Sequence, residues 1–221
     1  RGFMSWTAPK SSPWFILESP RLDLRENEKV TQWFAKRTEE LRVLLAESNF
    51  YTIAHEACTD RSGFGTCAVT SGWSAEQGKL HFRRLPIGSF VIEENAEGIV
   101  DTIYRERSFR PDQAVKMFGI DNVHEKVREA YERATEQEAR TYLHVIMPRE
   151  GAAKFGAFPK EKPFASIWID TDSKITVAES GFDLFPVHAS RFMRWTGVDE
   201  SQASSAWGWS PSWAALPDAR Q

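Results

Sequence analysis

The sequence predicts an α+β fold, mainly antiparallel β-hairpins packed with amphipathic helices. Three observations point to it. Apolar residues recur at three- and four-residue steps over 27–47, the spacing of a helix face. Runs of alternating apolar and polar residues flank short turn signals at 94–98 and 172–173. The elements come as helices, strands, helices, strands, without the regular βαβ alternation of a parallel sheet. At 221 residues, with 41% hydrophobic and 27% charged content, the chain can bury a substantial core and lies in the globular range.

Residues 1–25 are irregular, because Pro9, Pro13 and Pro20 interrupt any helix, and "PWFILESP" fits a short strand between prolines. The helix over 27–47 carries Val30, Trp33, Phe34, Leu41, Leu44 and Leu45 on one face, with Glu26 and Glu28 near its positive end. "SNFYTIAHEACTD" is a second helix, capped by Ser48 or Asn49 and ended by Gly63 and Gly65. A strand begins at "TCAVTSG". Residues 80–106 are β, with "SFVIEE" and "GIVDTIYRERSF" joined by the loop "ENAEG", where Gly98 can take the left-handed conformation of a turn plus bulge. "RPDQAVKMFG" is a short helix with Pro111 at its first position and Gly119 at its stop. "DNVHEKVREAYERATEQEAR" follows as a longer helix, capped by Asn122, with a stripe of Val123, Val127, Ala130, Tyr131 and Ala134. "YLHVIMPR" is a strand, "PFASIWIDT" and "KITVAESG" form a hairpin around Asp172-Ser173, and "FPVHASRFMRW" is extended. These elements divide the chain into an irregular segment over 1–26, an α+β body over 27–200, and a Trp-rich segment over 201–221.

Charge and composition exclude several function classes. A net charge of −3 and a pI near 6.0 argue against a surface devoted to the DNA backbone, which needs a basic excess. The apolar runs are too short to span a bilayer, and "RGFMSWTAPKSSPW" lacks the continuous apolar stretch of a signal peptide. The first residue is Arg, as expected of a fragment or processed product. Cys58 and Cys67, nine apart, match neither zinc spacing nor a CxxC motif, and are expected to be buried, reduced thiols of a cytosolic protein. Of nine Trp, four lie at 195, 207, 209 and 213, a density that marks a docking surface or a segment packed on a partner.

No GxSxG, Walker A, GxGxxG or HExxH motif is present. His55, Glu56, Cys58 and Asp60 form the nearest metal-like cluster, but zinc wants four ligands and no second set is predictable, so no metal or cofactor is expected. The carboxylates Glu93, Glu94 and Glu97 in "FVIEENAEGIVDTIYRE" are open to an enzymatic reading with His81 or His144 in a pocket. Strand alternation favours the acidic tip of a hairpin. Arg83, Arg84, Arg105, Arg107 and Arg110 cluster around it and suit cross-strand pairing with Glu93, Glu94, Glu97 and Glu106. A nucleic-acid-binding module is a third reading, testable by steeply salt-dependent DNA binding.

Several stretches taken together resemble the head-to-tail connecting (portal) proteins of short-tailed bacteriophages. They are "GFMSWTAPKSSPWFIL" at 2–17, "LAESNFYTIAHEACTDRSGFGTCAVT" at 45–70, "LHFRRLPIGSFVIEENAEGIVDTIYRERSFRPDQAVKMFG" at 80–119, "VHEKVREAYE" at 123–132 and "WGWSPSWAALPDAR" at 207–220. The specificity lies in the collinear set, which covers nearly the whole chain. One departure is local: the family is richer in Gly before "ALPD", where this chain has Trp207, Trp209, Ser212 and Trp213. The resemblance implies the wing region of a portal subunit, cut near the start of the long stem helix. It implies a non-enzymatic structural part of a twelve-subunit ring at one capsid vertex. Its partners would be copies of itself, the terminase packaging motor, a tail adaptor and capsid proteins. Double-stranded DNA would pass through the channel, mostly along regions outside this chain. The location implied is the virion, and the host cytoplasm during assembly. A ring subunit needs two different complementary surfaces, and Arg105, Arg107, Glu94 and Glu97 are the expected interface residues. Charge reversal at Arg105 and Arg107 is expected to impair assembly while leaving the subunit folded.

Overall fold

A computed structural model describes residues 7–133, 138–151, 158–194, 207–213 and 215. The architecture is mixed α+β with antiparallel strands, as the sequence predicts. The chain divides into two compact units. One comprises Arg1–Leu85, His188–Arg194 and Gly208–Gln221, and the other Pro86–Val187 with Trp195–Trp207.

In the first unit, a one-turn helix α1 (Leu22–Arg25) stands in the segment expected to be irregular. "PWFILESP" is not a strand: the Leu17 N–H donates to Thr38 Oγ1 at 2.9 Å, so a side chain replaces a ladder partner. Helix α2 (Glu28–Glu47) starts at Asn27, whose side chain accepts the N–H groups of Lys29 and Val30. Its predicted apolar stripe is divided. Phe34 and Leu45 are half-buried, whereas Trp33, Leu41 and Leu44 are exposed, and the buried residue of the helix is Thr38.

Helix α3 (Phe50–Phe64) is longer than predicted. Gly63 lies inside it, and Gly65 ends it with φ +80. Ser48 Oγ accepts the Phe50 N–H, but Asn49 does not cap through its side chain. Instead the Asn49 amide pairs with the Phe82 backbone in both directions, at 2.7 and 2.8 Å, as a strand neighbour would. Strands β1 (Thr66–Ser74) and β2 (Lys79–Leu85) pair antiparallel. The strand after Pro186 completes the sheet beside β1. Aromatic rings seat α3 on this sheet: Trp14 stacks on Phe50 and Phe50 meets Phe82 edge-on at 5.3 Å.

The second unit is a five-stranded antiparallel meander. It runs through β3 (Phe90–Glu94), β4 (Val100–Phe109), β5 (Arg140–Pro148), β6 (Phe164–Asp170) and β7 (Ile175–Phe182). Helix α4 (Pro111–Phe118) has the predicted bounds, and the Gln113 side chain accepts the Arg110 N–H at its start. Helix α5 (Glu125–Glu132) is shorter than predicted and begins two residues later, capped at His124 and not at Asn122. His124 Nδ1 caps it by accepting the Lys126 N–H, while Asn122 turns back to donate to the Phe118 carbonyl at the end of α4. Ala134, expected on its stripe, lies outside the described residues. Both helices cover one face of the meander, with Phe109, Ala114, Phe118, Val123, Val127, Tyr142, Trp168 and Val177 forming the core. Each large side chain buried there contributes roughly 1.5–3 kcal/mol. The remaining strands are β8 (Val187–Arg191), which flanks β1 in the first sheet, and the short pair β9 (Met193–Arg194) and β10 (Gly208–Trp209).

Candidate functional site

The acidic stretch is the hairpin the sequence predicts. The Asn95 N–H donates to the Ile99 carbonyl and the Gly98 N–H to the Asn95 carbonyl, both at 2.9 Å. Asn95 Oδ1 accepts the N–H groups of Glu97 and Ile99, and Gly98 takes φ +74. A bulge between Glu93 and Glu94 turns the strand end, leaving Glu93 and Glu97 exposed and Glu94 half-buried. Tyr104 donates to Glu93 Oε2 at 3.3 Å. Burial and the Glu93 charge raise the Tyr104 phenol above its ordinary value.

Behind the tip, one register row crosses the sheet: Phe90, Arg105, His144, Trp168 and Ala178. His144 stacks on Trp168, with centroids 4.0 Å apart and planes within 5°. Arg105 lies over the Trp168 ring, and its Nε–H donates to His144 Nδ1 at 2.8 Å. A guanidinium only donates, so Nδ1 must accept and the ring proton sits on Nε2, which donates to Ser166 Oγ at 2.8 Å. Burial, followed by the Arg105 and Arg107 charges, lowers the His144 pKa from 6.5 to about 3. The ring is therefore a neutral hydrogen-bonding member of the sheet interior. Arg107 lies over Phe109 at 4.9 Å. Arg105 is thus fastened into the fold, and reversing its charge would unseat His144 as well as alter the surface.

The sheet does not assemble the residues of the enzymatic reading. Glu94 faces Val100 and His144 faces Arg105, five residues further along β4, or roughly 16 Å at the usual strand rise. His81 is an exposed residue of β2 in the first unit, opposite Gly72. Glu56 and Asp60 are occupied by Arg84, at 3.1 and 2.7 Å, so this arginine serves α3 and does not pair with the hairpin carboxylates. Among the described residues, no three His, Cys, Asp or Glu side chains gather as a metal site. Cys67 is buried, but Cys58 is half-buried, against expectation. Both thiols are free, and burial pushes both up, which keeps them protonated. They line an apolar groove of about 240 Å³ with Phe50, Ile53, Val69 and Phe82.

Sequence reasoning missed the polar clip of the β6–β7 turn. Asp170 is fully buried and binds Arg140 through both oxygens, at 3.0 and 3.1 Å. Its Oδ1 also accepts the N–H groups of Asp172 and Ser173. Burial pushes this carboxyl up, but Arg140 and Ser173 outweigh it and hold the group below its ordinary value. The local signal was the Asp-Thr-Asp-Ser run of an Asx-turn. Arg140 lies 30 residues away and gives no local signal.

Among the described residues, no helix is long and apolar enough to cross a membrane. The sequence family described as "Bacteriophage head to tail connecting protein" matches residues 1–221. The portal protein of Salmonella phage epsilon15 is 30% identical over 193 residues, covering 86% of this chain and 34% of the relative. A probable portal protein of Bordetella phage BPP-1 is 27% identical over 224 aligned positions, covering 100% of this chain and 39% of the relative. The chain spans little more than a third of the length of either relative. The match along the whole sequence decides the family: the chain belongs to the bacteriophage head to tail connecting proteins, a structural portal family.

Proposed function

We propose that the chain is the wing-like portion of a portal subunit that assembles into a ring at one capsid vertex. The ring is a channel for DNA packaging and ejection, and it docks the packaging motor, the tail adaptor and the capsid shell. Subunit contacts are head-to-tail, and the hairpin carboxylates Glu94 and Glu97 with Arg105 and Arg107 contribute to them. The virion is the site of action, after assembly in the host cytoplasm. The observation that carries this reading is the family match along all 221 residues. A wing faces away from the channel, which accords with a net charge of −3.

Negative-stain images and mass measurement of the full-length protein test it. The expected result is a ring of about a dozen copies with a central hole. A stable monomer would overturn the reading.

A further inference from the structure

We propose that residues 208–213 act as a latch on the first unit. Gly65 and Gly208 cross backbone to backbone, and the Ser210 hydroxyl joins the end of α3 to the helical turn that begins at Pro211, so that this turn and the end of α3 move together. The crossing requires glycine on both sides. A Cβ on Gly65 would strike the Gly208 oxygen and the Trp209 carbonyl carbon. A Cβ on Gly208 would strike the Gly65 oxygen and come within 2.8 Å of Arg191 Cβ and 3.0 Å of the Met193 oxygen. All three obstructions are backbone or Cβ atoms, which no rotamer change removes.

Hydrogen bonds close the crossing from several sides. The Gly208 N–H donates to Thr66 Oγ1 at 2.6 Å, and Thr66 is fully buried. The Phe192 N–H donates to the Gly65 carbonyl at 2.9 Å, while Gly208 and Trp209 pair with Arg194 and Met193. Ser210, 1% exposed, uses its hydroxyl twice: it donates to the Ser62 carbonyl at 2.7 Å and accepts the Ser212 N–H at 3.0 Å. The second bond, followed by Pro211, is the N-cap pattern of a helix start. Ser212 Oγ donates to the same Ser62 carbonyl at 3.0 Å. Ser62 lies in the last turn of α3, where carbonyls lack intrahelical partners. The first turn of one helical segment thus supplies the donors that the last turn of another lacks. These bonds are directional, and the glycine crossing leaves no slack, so movement of the 211–213 turn is coupled to the end of α3 and to β9.

Amide hydrogen exchange on the full-length protein tests the latch, comparing wild type with Gly208→Ala and Ser210→Ala. The expected result is exchange about tenfold faster or more at Ser212 and Trp213, together with Phe192 and Gly65, and no change in β5 or β6. Faster exchange confined to 208–213, with Phe192 and Gly65 as in wild type, would make the segment a passenger and overturn the proposal. A uniform rise across the protein would overturn it too, because it reports lost stability and not a loosened joint. Ser210→Ala adds no volume, so it decides the matter if Gly208→Ala does not fold; wild-type exchange in that variant also counts against the latch.

Discussion

His144 shows how one side chain sets a pH dependence without performing chemistry. Its ring is held neutral because Nδ1 accepts from Arg105, Nε2 donates to Ser166, and its face is covered by Trp168. The folded pKa is about 3 against an ordinary 6.5. The stability this contributes is therefore complete above pH 6.5. It is lost as the pH falls from there toward 3, because only the unfolded chain binds the proton in that window. Between pH 7.5 and 5.5 the loss is about 1 kcal/mol. Asp170 acts elsewhere: its folded pKa lies below 3.8, so its contribution is intact across that interval and falls only in stronger acid. Denaturant unfolding at pH 7.5 and 5.5 should show the drop in wild type. His144→Asn keeps an acceptor for Arg105 and removes the titration, so its stability should be flatter across the interval. An equal drop in both proteins would exclude His144 as the source.

At the scale of elements, β7 is seated by a close approach that only glycine permits. A Cβ on Gly181 would meet the Pro159 oxygen, the Phe164 oxygen at 2.8 Å and Lys162 Cβ at 2.9 Å. Gly181→Ala should cost about 2 kcal/mol, the usual range for overpacking against backbone. Gly72 in β1 offers the contrast, since a Cβ there meets nothing within 4 Å and Gly72→Ala should be neutral or slightly stabilising. Thermal unfolding of both variants checks the pair, and similar losses would refute the packing argument. This difference between two strand glycines also marks what the sequence could carry. Period-two alternation around Asn95–Gly98 and Asp172–Ser173 located both hairpins, and Pro111 with Gly119 bounded α4, because those signals are local. The start of α5 was misplaced because Asn122 and His124 are both competent caps, and the Phe118 carbonyl decided which was used. Asn49 was read as a helix cap but serves the edge of β2, 33 residues away. The stack of His144, Trp168 and Arg105 comes from three strands brought into register, which no single stretch of sequence announces.

At the scale of the whole molecule, the proposed ring contact is tested most directly at charges that the fold does not already use. Arg84 is committed to Glu56 and Asp60, Arg140 to Asp170, and Arg105 to His144 and Trp168. Glu97 differs: it is exposed at the tip of the β3–β4 loop, where its backbone N–H holds the turn and its carboxylate faces solvent. It is therefore a cleaner probe of a subunit contact than Arg105. Glu97→Lys in the full-length protein should leave the circular dichroism spectrum unchanged and the unfolding free energy within about 0.5 kcal/mol of wild type, as exposed substitutions do. If the tip meets a cationic surface of the neighbouring subunit, the same change places like charges together and should slow or abolish ring formation, with the defect easing as salt rises. Sizing chromatography with mass detection at low and high salt reads both effects. Rings that form equally well in wild type and variant at low salt would remove Glu97 from the contact and direct the search for the register-setting charges to other exposed surfaces.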